Sequence, residues 1–297
     1  MKKLILFISI VCLSLTVNAQ LLWKVSGKGL SKPSYIFGTH HIAPTTFLDS
    51  IKGLNDAIDN CDIVYGEVAK DSLMSPESQA KMAQAMVAPD DSTLDKLYSP
   101  EGYNIIKTVF DKYFSSMGLT LEQMNKYKPI AISTQIEVLQ AAEDFGDKGL
   151  DTDSLPVTDV ECQIRAQAKG KKVDGLETVD YQMSILASMP IVDQAQDLLE
   201  TCKKDDKFSA INKSLSDAYI AQDLDKILSI IEDPEMGTNE KELKVVLYDR
   251  NTAWVKKLKA IMPQQSVLVC VGAGHLPGDK GVLKQLRNAG FTVEPVK

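Results

Sequence analysis

The chain has 297 residues, with 33 lysines and arginines against 40 aspartates and glutamates, a formal net charge of −7. Such an acidic chain makes nucleic acid and anionic membrane surfaces poor partners. Its length is enough for one large core or two modest ones, and it holds only three histidines.

The segment "MKKLILFISIVCLSLTVNAQ" joins two lysines to an apolar run too short to cross a bilayer comfortably, followed by Val17-Asn18-Ala19. Residues 1–19 therefore read as a secretory signal peptide, and the expected mature chain is an exported one, periplasmic or secreted, that starts at Gln20. Ser9-Ile10-Val11 before Cys12 is a poor lipobox, which makes a lipid anchor the weaker reading. Loss of Lys2 and Lys3 would take the formal charge from −7 to −9. No later stretch is long and apolar enough for an integral membrane segment. Cys61, Cys162, Cys202 and Cys270 have neither a CxxC motif nor zinc-finger spacing, and the sequence leaves their disulfide status open.

From Gln20 onward, five runs have the β-branched, apolar character of buried strands: "SYIFG", "DIVYGEV", "KKVDGLE", "SVLVCVGAG" and "FTVEPV". Amphipathic segments lie between them. "SPEGYNIIKTVFDKYFSSMG" predicts a helix capped at Ser99-Pro100-Glu101 and stopped by Gly118. "LEQMNKYKPIAISTQIEVLQAAEDFG" predicts a helix broken before Pro129 and resumed after it. "VTDVECQIRAQAKG" predicts another that ends at Gly170 and leads into a strand. Three further amphipathic segments fill the interval before "SVLVCVGAG". No linker divides the chain, so residues 20–297 read as one α/β domain with a helical lobe.

The scarce histidines fall in related places. Gly38-Thr39-His40-His41 and Gly272-Ala273-Gly274-His275 each follow a strand-like run with the pattern G-x-x-H, which suggests two half-sheets meeting at a shared cleft. In open α/β sheets, ligands collect at the carboxyl ends of strands. His41, His275, Glu67 in "DIVYGEV" and Glu177 in "KKVDGLET" all belong there. Two imidazoles and a carboxylate suit a divalent transition metal such as manganese, cobalt or zinc, and a satisfied loop histidine is the plainer alternative. Neighbouring side chains of an extended segment point to opposite sides, so only one of His40 and His41 can face the cleft.

"YIFGTHH", "DGLETVDYQ", "DRNTAW" and "VCVGAGHLPGDKGVLKQLRNAGFTVEPV" together resemble the TraB/GumN family, to which the Tiki metalloproteases and the pheromone-shutdown protein PrgY are related. The resemblance spans essentially all of residues 20–297. Its G-T-x-H pattern selects His41 and leaves His40 at the variable position. It implies a metal-dependent hydrolase, with His41, His275 and Glu67 as metal ligands and Glu67 alternatively as the base. It also implies a central mixed sheet with surrounding helices, as in the erythromycin esterases and the haem-binding ChaN proteins. Arg250 falls at a matched position where a guanidinium can hold a substrate carboxylate or an oxyanion. Its plainer alternative is an ion pair with an acid. Thr39, Glu177 and Asn251 are expected to bind substrate or to support the ligands.

No G-x-S-x-G or H-E-x-x-H motif is present, so serine-hydrolase and zincin chemistry have no support. The expected activity is a peptidase or a hydrolase of small molecules. The rival expectation is a protein of the same fold that holds haem, or sequesters a peptide, without turnover.

Overall fold

The computed structural model describes residues 20–149, 158–186, 189–234 and 240–297. The expected signal segment, residues 1–19, lies outside the described residues.

Six strands form one mixed sheet: β1 (Leu22–Ser26), β2 (Ser34–Thr39), β3 (Ile63–Val68), β4 (Lys172–Glu177), β5 (Val267–Gly272) and β6 (Thr292–Pro295). Their order is β4-β3-β5-β2-β1-β6. The strands β4, β3, β5 and β2 run parallel, while β1 lies antiparallel between β2 and β6. Every residue of β3 is buried, as are the first five of β5. That explains their unbroken apolar runs, because parallel strands covered on both faces show no polar alternation.

β1 was not among the expected strands. Leu22 and Val25 are buried while Lys24 between them is exposed, so "LWKVS" lacks an apolar run and is held by pairing on both edges. The two G-x-x-H segments belong to one continuous sheet. They leave the adjacent central strands β2 and β5, where Gly38 pairs with Val271 and Thr39 with Gly272.

The helix Pro100–Phe114 begins as expected, with the Ser99 hydroxyl accepting the Gly102 amide at 3.2 Å. After a short 3₁₀ turn, Gly118 stops it in the left-handed region at φ 71°. The helix Pro129–Asp147 starts at its proline, but residues 119–128 are turns rather than a preceding helix. That segment is held against residues 87–94, by the Val87–Tyr127 bridge and by the Ala88 and Leu94 amides donating to Lys126 and Asn125. These external bonds override the helical spacing of Leu121 and Met124.

The main core lies on the sheet, and a second apolar cluster forms the helical lobe. In that cluster, Leu94, Ile106, Phe110, Phe114, Ile132, Ile136 and Leu198 pack together. Among the described residues no helix is long and apolar enough to cross a membrane.

Glycines let chain segments close over the ends of β3 and β4. A Cβ on Gly66 would stand 2.2 Å from the amide nitrogen of buried Gln163. Gln163, in the helix Thr158–Ala168, donates to the Val68 carbonyl and accepts the Lys70 amide. A Cβ on Gly175 would stand 2.4 Å from the Ala69 backbone nitrogen. Backbone cannot move aside as a side-chain tip can, so Gly175→Ala is expected to destabilise the protein by about 2–3 kcal/mol. Urea unfolding followed by circular dichroism measures this, and an unchanged midpoint would contradict the packing.

Candidate metal centre

The carboxyl edge of the parallel strands gathers the chemistry-bearing residues. Thr39 ends β2, Glu67 is next to last in β3, Glu177 ends β4 and Gly272 ends β5. His275 closes the 3₁₀ turn Ala273–His275 directly after β5. The helix Asp249–Ile261 crosses this edge and supplies Arg250, Asn251 and Trp254, all buried.

Glu67 is buried and fully engaged. Its Oε1 accepts the Gly272 amide at 2.9 Å, and its Oε2 accepts Gln182 Nε2 at 3.0 Å and Arg250 Nη2 at 2.5 Å. Glu177 accepts Trp254 Nε1 and Gln182 Nε2, each at 2.9 Å, and also the Arg250 guanidinium.

A guanidinium carries five N–H donors, and those of Arg250 all have acceptors. Nε donates to Glu177, and Nη2 to both Glu67 and Glu177. Nη1 donates to the Val246 carbonyl at 2.9 Å and faces His275 Nε2 at 3.2 Å. Val246 lies in a π-helical turn, Lys244–Tyr248, that leads into the helix bearing Arg250. The Trp254 ring lies 4.7 Å from the guanidinium carbon and 4.4 Å from the His275 ring.

The tautomer of His275 follows from its neighbours. Asn251 Nδ2 donates to the Lys280 carbonyl, which leaves Asn251 Oδ1 to face His275 Nδ1 at 2.7 Å. Oδ1 is an acceptor, so Nδ1 carries the proton and Nε2 carries the lone pair. Nε2 stands 3.7 Å from Glu67 Oε1.

His41 is exposed and reaches the same place from β2. A Cβ placed on Gly272 would have Glu67 Oε1 at 3.4 Å, a carbon of the His275 ring at 3.5 Å and His41 Nε2 at 4.0 Å. His40 turns elsewhere. Its ring packs on Phe145 and Tyr219, with centroids 5.4 and 5.1 Å away, and its Nδ1 accepts the Ile42 amide. Thr39 pairs in register with Gly272, which puts its side chain on the sheet face that the missing Gly272 Cβ would occupy. Its hydroxyl is buried without a hydrogen-bond partner.

The donor set fits a divalent transition metal in kind: a neutral imidazole held through its other nitrogen, a second imidazole, an ionised carboxylate and an unpartnered hydroxyl beside them. The 3.7 Å between His275 Nε2 and Glu67 Oε1 is a span that one ion with bonds of about 2.0–2.2 Å bridges. Even so, among the described residues no group of three or more His, Cys, Asp or Glu side chains is arranged as a ready ligand set. At this point the Arg250 guanidinium engages both Glu67 and the His275 lone pair.

Electrostatics set the charge states. Burial pushes the Glu67 carboxyl up, but His275, Arg250 and His41, with the Gly272 amide, outweigh it and leave its pKa at about 2. Burial lowers His275 to about 3 against the pull of Glu67. At neutral pH the site therefore holds an ionised carboxylate and a neutral imidazole.

Glu177 is the counter-ion around which this cluster is tied. Glu177→Ala strips acceptors from Arg250, Gln182 and Trp254 together and is expected to cost about 3 kcal/mol of stability. Thermal or urea unfolding measures this. A loss near zero would mean that the guanidinium network is not a structural element.

The model of the TraB/PrgY/gumN family matches residues 21–295. The chain belongs to this family. Its curated relatives include the zebrafish (Danio rerio) proteins named metalloprotease TIKI2, 24% identical over 92% of this chain, and metalloprotease TIKI1, 22% identical over 88%. Human metalloprotease TIKI1 is 23% identical over 88% of the chain. The chain spans about 60% of the length of these relatives. No solved structure matches it significantly.

Of the residues singled out in this TraB/PrgY/gumN sequence, His41, Glu67, His275, Arg250, Glu177, Asn251 and Thr39 all lie at the one sheet edge. Trp254 was given no role. Its signal was its place in "DRNTAW", four residues after Arg250 and so on the same helix face. The Gly272 amide and the Val246 carbonyl are backbone groups, which side-chain reasoning does not reach.

Proposed function

We propose that this protein is an exported metal-dependent hydrolase that acts on peptides, with His41, His275 and Glu67 as the ligands of a divalent metal. The observation that carries this reading is the convergence of His41 Nε2, Glu67 Oε1 and the His275 ring on one point beside Gly272. It is supported by the Asn251 bond that leaves the His275 lone pair on Nε2. The Tiki relatives are named metalloproteases, which favours a peptide substrate. When bound, such an ion supplies Lewis-acid polarisation of a carbonyl and acidification of water.

The chain's own residues divide the remaining work. Glu67 acts as a ligand rather than as the base, because a carboxylate with a pKa of about 2 is a weak proton acceptor at neutral pH. Arg250 commits every donor to protein acceptors, so it positions Glu67 and keeps it ionised rather than seizing a substrate carboxylate. The Thr39 hydroxyl, buried and unpartnered, is the donor available to a substrate oxygen. Asn251 fixes the His275 ring.

The test is turnover of a peptide library by the purified protein, loaded in turn with manganese, cobalt and zinc. The expected result is cleavage that chelator abolishes and metal restores. Cleavage that is undiminished in chelator would overturn the metal reading. A haem absorption band without cleavage would replace it with ligand holding.

A further inference from the structure

The Arg250 guanidinium stands at the one point where the site's two functions conflict. His275 Nδ1 is committed to Asn251, so the ring has a single lone pair, on Nε2. Arg250 Nη1 already points at it from 3.2 Å. A lone pair can accept that N–H or bind a metal, but not both. The other donors of Arg250 tether it beside the site: Nε and Nη2 hold Glu177, Nη2 also holds Glu67, and Nη1 holds the Val246 carbonyl. Trp254 braces the group on its face, and donates to the same Glu177.

We infer that Arg250 is a latch on the metal site, a positioning residue whose Nη1 competes with the metal for the His275 Nε2 lone pair. The inference rests on the metal reading above and adds to it that loading requires a defined side chain to let go. The exchange is local. The guanidinium is a rigid planar fork, so freeing the His275 lone pair takes a small shift of the whole group, which its carboxylate, carbonyl and aromatic contacts keep beside the site. By linkage, whatever weakens the Arg250–His275 contact strengthens metal binding by the same factor. Trp254 touches both partners, so it senses the exchange.

The chain has two tryptophans, Trp23 and Trp254, so a Trp23→Phe background leaves Trp254 as the sole tryptophan emitter. In that background, metal-free protein is titrated with manganese, cobalt and zinc salts alone, by calorimetry and by tryptophan emission. Arg250→Gln removes the charged fork. Arg250→Lys keeps a positive charge between Glu67 and Glu177 but cannot serve both and His275 at once, and it stands in should Arg250→Gln fail to fold.

Whichever Arg250 variant folds is expected to bind the metal about tenfold more tightly than the parent, the scale of one charge-assisted hydrogen bond. In the parent, metal is expected to change Trp254 emission in step with the heat of binding. Binding by the parent with equal or weaker binding by the variant overturns the latch alone. So does saturation of the parent without any change in Trp254 emission, a result that needs no Arg250 variant. Binding by neither protein overturns the latch and the metal reading together, whereas binding by the variant alone supports the latch in its strongest form.

Discussion

Glu67→Gln is expected to weaken metal binding and lower peptide turnover together, with turnover falling by at least about 10²-fold, the upper end of what losing a group that only supports a metal ligand costs. The structure explains why both should fall. Oε1 of Glu67 faces the point shared with His41 and His275, and Oε2 is fixed by Arg250 and Gln182. An amide keeps the shape but loses the charge, and its NH₂ must face either the Gly272 amide or the Arg250 and Gln182 donors. Calorimetry for the metal and steady-state kinetics for a cleaved peptide measure the two effects separately. Retained metal with lost turnover would identify Glu67 as the general base instead. Unimpaired turnover would remove it from the site.

Acid is expected to destabilise the metal-free protein from about pH 6.5 downward, by about 4–5 kcal/mol at pH 4. The sign follows from which state takes up protons. Burial holds His275 at about 3 in the folded protein, below the ordinary 6.5, so the unfolded chain protonates first and gains stability as pH falls between these values. His40 is lowered to about 3 as well, by burial between Phe145 and Tyr219 and then by His41. It is partly exposed and contributes less. Glu67 adds to the loss below about 4.5, where the unfolded carboxyl protonates while the folded one, with a pKa of about 2, stays ionised. Each of these contributions is present in full at neutral pH and disappears with acidification. Urea midpoints at pH 7, 5.5 and 4 measure it. A flat profile would mean that the imidazoles are solvated enough to protonate in the folded state.

What the sequence showed and what it hid divide along physical lines. The strands β2, β3, β4, β5 and β6 were legible because each is a short β-branched or apolar run closed by a turn or by the chain end. β1 was not, since its pairing on both edges, rather than its composition, makes it a strand. The stretch 119–128 has helical spacing but is held by bonds to residues 87–94, and no local pattern reports such bonds.

At the site, His41, Glu67, His275 and Glu177 were legible as polar residues at the ends of apolar runs. The different fates of His40 and His41 were legible from alternation. The saturation of Arg250 was not, because it depends on Glu67, Glu177, Val246 and His275 meeting from separate parts of the chain. That convergence is a property of the fold, and it supports the proposal that Arg250 positions Glu67 rather than holding a substrate.

The central claim is that His41, Glu67 and His275 jointly hold a divalent metal, and elemental analysis of the purified protein beside His41→Ala tests it most directly. His41 is exposed, so its removal should leave the fold intact as judged by circular dichroism. The account predicts roughly one transition-metal ion per wild-type chain and a clear loss of metal in His41→Ala. Equal metal content in the two proteins, or none in wild type after exposure to manganese, cobalt and zinc, would contradict it.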